Sequence, residues 1–264
     1  MKTAIMTDTN SGITVEEGKK SGIYVLPMPV IMEGECYFEG INITHEQLYQ
    51  AMINNREVSS AQPSPGDVMA MWDSILSDGY DEILYIPMSS SLSGSCHNAI
   101  QLALEYDSKV TVADNHRISV TLMESVFDAK ALADKGLSAC EIKTYLEEQA
   151  YQASILNIKP VLSIQGEKLD LFAKTRGIRQ SEKRMLEALQ NDLATRFFEI
   201  PAERLQIGTA GTFEKKEEAE RWLAYVQSAF PQSSVYYYPL SCSIAYHVGV
   251  NALGIGVSVL AERN

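Results

Sequence analysis

Positive charge is scarce in this chain: 22 lysines and arginines stand against 34 aspartates and glutamates, for a formal net charge of -12. Such an acidic surface repels phosphate backbones and anionic lipid headgroups, which argues against nucleic acid as a partner. Long apolar runs are missing too. No stretch approaches the ~18 apolar residues of a membrane span, and the opening segment Met1-Lys2-Thr3-Ala4-Ile5-Met6-Thr7-Asp8 turns polar too early for a secretory signal. These features predict a cytoplasmic protein with no membrane span. The four cysteines, Cys36, Cys96, Cys140 and Cys242, form no C-x-x-C pair, and His45, His97 and His116 show no metal-like spacing. Neither a metal site nor a redox motif is expected, and the thiols are expected to be reduced. A Walker A sequence for nucleotide phosphates is absent, as is the Gly-x-Ser-x-Gly of a nucleophile elbow.

What is present is an ordinary globular composition, 45% hydrophobic and 21% charged over 264 residues, enough for one large domain or two ordinary ones. Short β-like runs at 4–7, 82–86 and 109–113 alternate with amphipathic stretches, the rhythm of helices packed on a mainly parallel sheet. Thr44 with Gln47 forms a capping-box pattern for a helix to about 54. Ser64 before Pro65 predicts a second capped helix, and 119–134 and 138–152 read as two more. The texture changes near Ile158-Lys159-Pro160-Val161-Leu162. The expected division is therefore an N-terminal α/β domain over 1–156 and a C-terminal α/β domain over 157–264. In the second half, strands are expected at 161–164, 169–174, 205–209 and 234–238, with helices from Ile178 and over 214–230.

Four polar patches carry chemistry. Ser89-Ser90-Ser91-Leu92-Ser93-Gly94-Ser95 runs from a predicted strand into a predicted helix, where hydroxyls, backbone N–H groups and the helix dipole suit an anion. The same serines also suit simple helix capping. Ser59-Ser60-Ala61-Gln62-Pro63-Ser64-Pro65 is stiffened by two prolines and presents Ser60 before another helix. His247 precedes an apolar segment with Gly249, Gly254 and Gly256, and Lys174-Thr175-Arg176-Gly177 places basic residues at a strand-to-helix turn.

Taken in order, these patches resemble the DegV family. Asp8-Thr9-Asn10-Ser11 resembles its N-terminal aspartate-serine turn, and Ser60-Ala61-Gln62-Pro63-Ser64-Pro65 is similar to its Thr-Ser-Gln-Pro-Ser-Pro motif. The Ser89–Ser95 loop is similar to Ser-Ser-x-Leu-Ser-Gly-Thr. Asp114-Asn115, Asn157 to Leu162, Lys174-Thr175-Arg176-Gly177 and His247-Val248-Gly249 complete the series. Departures are Ser60 for threonine, Ser95-Cys96 for Thr-Tyr, no Gly-Pro-Gly after His247, and a shortened stretch before Ile158.

The resemblance implies two α/β domains of the DegV type with a lipid site between and within them, and a bound long-chain fatty acid rather than a cofactor. It implies a subunit like that of bacterial fatty acid kinase, in phospholipid metabolism, without a complete active site of its own. Such a subunit presents the acyl carboxylate to a separate ATP-binding kinase partner for acyl phosphate formation. By motif position Ser60, Ser93 and His247 would hold the carboxylate, with Ser90, Gly94 and Ser95 as loop donors and Arg176 near the head group or partner. Two alternatives stay open: a serine hydrolase using Ser93, His247 and Asp114, and a lipid carrier with no kinase partner.

Overall fold

The structure is a computed structural model that describes residues 1–150, 153–157, 161–165, 168–173 and 178–261, with backbone alone between 153 and 173. The N-terminal half runs β1 (Thr3–Asp8), α1 (Val15–Ser21), β2 (Ile23–Leu26), β3 (Pro29–Met32), β4 (Glu35–Phe38), α2 (His45–Ile53), β5 (Val58–Ser60) and α3 (Pro65–Ser77). It continues with β6 (Glu82–Ile86), α4 (Ser95–Ala103), β7 (Val110–Val112), α5 (Ser119–Asp134) and α6 (Ala139–Glu148). Strands β2-β1-β6-β7 form a wholly parallel sheet. Its faces alternate with period two: Ile5 and Leu84 pack beneath α5 and α6, while Met6 and Tyr85 pack beneath α3 and α4. Burial on both faces explains the unbroken apolar runs Ala4-Ile5-Met6 in β1 and Ile83-Leu84-Tyr85-Ile86 in β6.

The apolar run 23–32 is split by Pro27 and Pro29, which cannot donate to a strand ladder. Leu26 therefore ends β2 in the parallel sheet, and β3 opens a small antiparallel sheet of order β4-β3-β5. Glu33 and Gly34 turn the β3–β4 hairpin with φ of 53° and 83°, the paired positive angles that a tight hairpin requires.

The second half runs β8 (Ala153–Asn157), β9 (Val161–Gln165), β10 (Lys168–Ala173), α7 (Ile178–Thr195), β11 (Leu205–Gly211), α8 (Lys216–Ala229), β12 (Val235–Pro239), α9 (Cys242–Val248) and β13 (Leu253–Val259). A mixed sheet of order β10-β9-β8-β13-β11-β12 carries α7 and α8, whose Met185, Leu189, Trp222 and Val226 pack on Ile207, Ile255 and Val257. The architecture is thus α/β, with a parallel sheet in the first half and a mixed one in the second. The division expected at 156/157 cuts the last residue of β8, a strand whose pairing with β13 places it in the second sheet. Strands β8 and β13 and helix α9 were not anticipated from sequence.

Helix α5 joins the two halves. Ser119 through Val126 are buried without a break, as befits a helix covered on all sides. Val120 sits against Gly208 of β11, where an added Cβ would come within 2.6 Å of the Val120 Cβ.

Candidate functional site

Three of the four polar patches, those of Ser60, Ser93 and His247, come together beyond the carboxyl ends of β1 and β6, where an open α/β sheet offers its crevice. Asp8 ends β1 and is fully buried. Its Oδ1 accepts the Asn10 N–H at 2.9 Å and its Oδ2 the Met88 N–H at 3.0 Å, fastening the β1 turn to the loop after β6. Desolvation pushes this carboxyl up to about 6, outweighing the two backbone N–H donors and the Asn10 side chain, which pull it down. Asn10 carries the connection onward: its Oδ1 accepts the Ser241 hydroxyl at 2.8 Å and the Ser243 hydroxyl as well, both at the start of α9.

The serine loop is built on buried Ser89, whose carbonyl accepts the N–H groups of Leu92 at 3.0 Å and Ser93 at 3.2 Å. Ser93 Oγ accepts the Ser95 N–H at 3.2 Å and shares a hydrogen bond with Ser95 Oγ at 3.0 Å, so the side chain satisfies one of the free N–H groups opening α4. The Ser90 N–H donates to Asp114 Oδ1 at 3.3 Å. Gly94 is exposed, and a Cβ there would sit 2.7 Å from Gln62 Nε2. Gln62 Oε1 in turn accepts the Asn98 amide at 2.7 Å, so the loop after β5 lies directly on the serine loop.

Ser60 is the last residue of β5, and its Oγ stands 3.1 Å from Nε2 of His247 in the last turn of α9, 187 residues away. The fold therefore pairs Ser60 with His247 and lays the segment after Ser60 against Gly94, next to Ser93. Arg176 lies outside the described residues. A Ser93–His247–Asp114 relay is not formed: His247 Nε2 pairs with Ser60, and Asp114 Oδ1 accepts the Ser90 and His116 N–H groups, each at 3.3 Å. The Ser60 hydroxyl and the His247 imidazole, held 3.1 Å apart, are groups suited to hydrogen-bonding an anionic head group. Sequence reasoning missed the Asn10, Ser241 and Ser243 cluster. Its signal was a pair of small hydroxyl residues flanking Cys242 at a helix start.

A family model described as "Uncharacterised protein, DegV family" matches residues 2–154 and 149–260. The chain is similar to a DegV domain-containing protein of Listeria monocytogenes, 25% identical over 293 residues that cover 98% of this chain and 99% of the relative. Among solved structures, it superposes on DegV, a fatty acid binding protein from Bacillus subtilis, with a TM-score of 0.85 at 21% identity, covering 98% and 99% of the two chains. A stearic acid-binding protein from Eubacterium ventriosum gives a TM-score of 0.85 at 18% identity, covering 97% of each chain. At these identities the structural likeness speaks for the fold. Among the described residues, no helix is long and apolar enough to cross a membrane.

Proposed function

The chain belongs to the DegV family, and from that premise we propose that it binds a long-chain fatty acid whose carboxylate is held by Ser60, Ser93 and His247. The observation that carries this reading is the Ser60–His247 hydrogen bond, made between β5 and α9 beside the serine loop. Hydrogen bonds to a charged carboxylate contribute about 1.5–3 kcal/mol each. An apolar channel for the tail would add ~0.8 kcal/mol per buried methylene. Ser90, Gly94 and Ser95 frame the head-group loop, and Arg176 is assigned to the head group or to a partner surface.

The chain has no Walker A sequence, and phosphoryl transfer requires positioned phosphates, usually with magnesium. We therefore assign acyl phosphate formation to a separate ATP-binding kinase subunit to which this cytoplasmic carrier presents its ligand. The test is mass spectrometry of material released by denaturation from protein purified without added lipid, followed by ATP turnover with and without a cognate kinase. One fatty acid per chain is expected, with acyl phosphate formed only when the kinase is present. Well-folded protein that takes up no fatty acid from a panel of chain lengths would refute the carrier. Acyl phosphate made by the isolated chain would refute the division of labour.

A further inference from the structure

Away from the carboxylate site, the start of α9 gathers three metal-binding side chains from distant parts of the sequence. Glu39 follows β4, His45 opens α2 behind its Thr44 cap, and Cys242 opens α9. Each offers one ligand atom, and these atoms all lie within 4.8 Å of one another. His45 Nε2 is 3.2 Å from Glu39 Oε1, and two ligands about 2.0–2.1 Å from one tetrahedral ion stand roughly 3.3 Å apart. Glu39 is 7% exposed and Cys242 0%, so this is an interior group and not a solvated acidic patch.

Two further observations mark the group as incomplete by itself. Glu39 Oε2 is buried with no hydrogen-bond partner, a costly state for a carboxylate oxygen. A cavity of about 160 Å³ adjoins it, with Thr9, Glu39, Thr44, His45 and Ser241 in its wall.

We propose that Glu39, His45 and Cys242 bind one divalent cation of the zinc type, with a water in the adjoining cavity as fourth ligand. A thiolate, an imidazole and a carboxylate form the mixed, borderline-soft donor set that zinc takes in tetrahedral sites. The Cys242 N–H already donates to Glu39 Oε1 at 2.9 Å, an outer hydrogen bond that orients the carboxylate. His45 Nε2 now faces the Leu240 carbonyl at 3.0 Å, which requires the proton to be on Nε2. On binding, that proton moves to Nδ1, the Cys242 thiol releases its proton to solvent, and the freed lone pairs take the ion.

The ion acts as a clip between two elements. Strand β4 shares its sheet with β5, which carries Ser60, and α9 carries His247 at its far end. Joining the end of β4 to the start of α9 therefore fixes the two supports of the Ser60–His247 pair.

The test uses the full chain in a Cys36→Ser, Cys140→Ser background, which removes the two exposed thiols. The protein is stripped with a chelator and titrated with zinc or cobalt(II). One zinc per chain is expected, together with a zinc-dependent rise in Tm, a thiolate-to-cobalt charge-transfer band and the strong visible bands of tetrahedral cobalt. Cys242→Ala and His45→Gln should each abolish the cobalt bands and the Tm shift, whereas Cys96→Ala, at the other buried cysteine, should keep both. His45 is the more exposed position, so His45→Gln decides the matter if Cys242→Ala does not fold. Folded protein without stoichiometric zinc uptake would overturn the proposal and leave Glu39 and His45 as a plain side-chain contact. Cobalt bands that survive His45→Gln or Cys242→Ala would also overturn it.

Discussion

Asp8 shows how a site residue acquires properties its neighbours in sequence do not indicate. The Asp8-Thr9-Asn10-Ser11 turn is recognisably polar, but nothing in it says that the carboxylate is fully buried between β1 and β6. Its pKa is raised from 3.8 to about 6, so the native state holds the proton more tightly than the unfolded chain. Asp8 thus contributes stability that is fully present below about pH 3.8 and lost as pH rises through about 6, a change of about 3 kcal/mol for a shift of about two units. Urea midpoints measured between about pH 4 and pH 7 should fall more for the wild type than for Asp8→Asn. Parallel pH profiles for the two proteins would contradict this assignment.

Elements with local signals were legible in the sequence, and those without them were not. Thr44 and Ser64 cap α2 and α3 as their spacing indicates, each accepting an N–H three residues on, and α5 covers Ser119–Asp134 as read. Strand β13 is apolar at nearly every position and buried throughout, so it has no alternation to read. Helix α9 has only seven residues, too few for a helical period to stand out. The contact between the Gln62 and Ser93 loops was equally hidden, because it depends on Gly94 having no side chain. Gly94→Ala places a methyl group on the Gln62 amide and should weaken fatty-acid binding with little loss of stability, since a flexible side chain can give way. In a Gln62→Ala background the same change should add little. Equal effects in both backgrounds, compared by titration in a double-mutant cycle, would show that the contact between the loops does not matter.

For the molecule as a whole, the Ser60–His247 pair exists only where the two halves meet. Motif order made the resemblance readable, yet no spacing rule links Ser60 to His247 across 187 residues or Glu39 to Cys242 across 203. Those pairs follow from the packing of α9 against the small sheet and of α5 between the two larger ones. The close approach of Val120 to Gly208 is part of that packing. Gly208→Ala should destabilise the protein by about 1–3 kcal/mol through overpacking. An unchanged denaturant midpoint would mean that α5 can shift there freely.

The claim that the crevice holds a carboxylate is tested most directly by comparing the affinity of a long-chain fatty acid with that of the fatty alcohol of equal length. Both bury the same tail, so the difference isolates the head group. The acid should bind more tightly, and Ser60→Ala, Ser93→Ala and His247→Ala should each remove about 1–3 kcal/mol of that preference while leaving alcohol binding nearly unchanged. Equal affinity for acid and alcohol in the wild type, or a preference untouched by all three substitutions, would contradict the account.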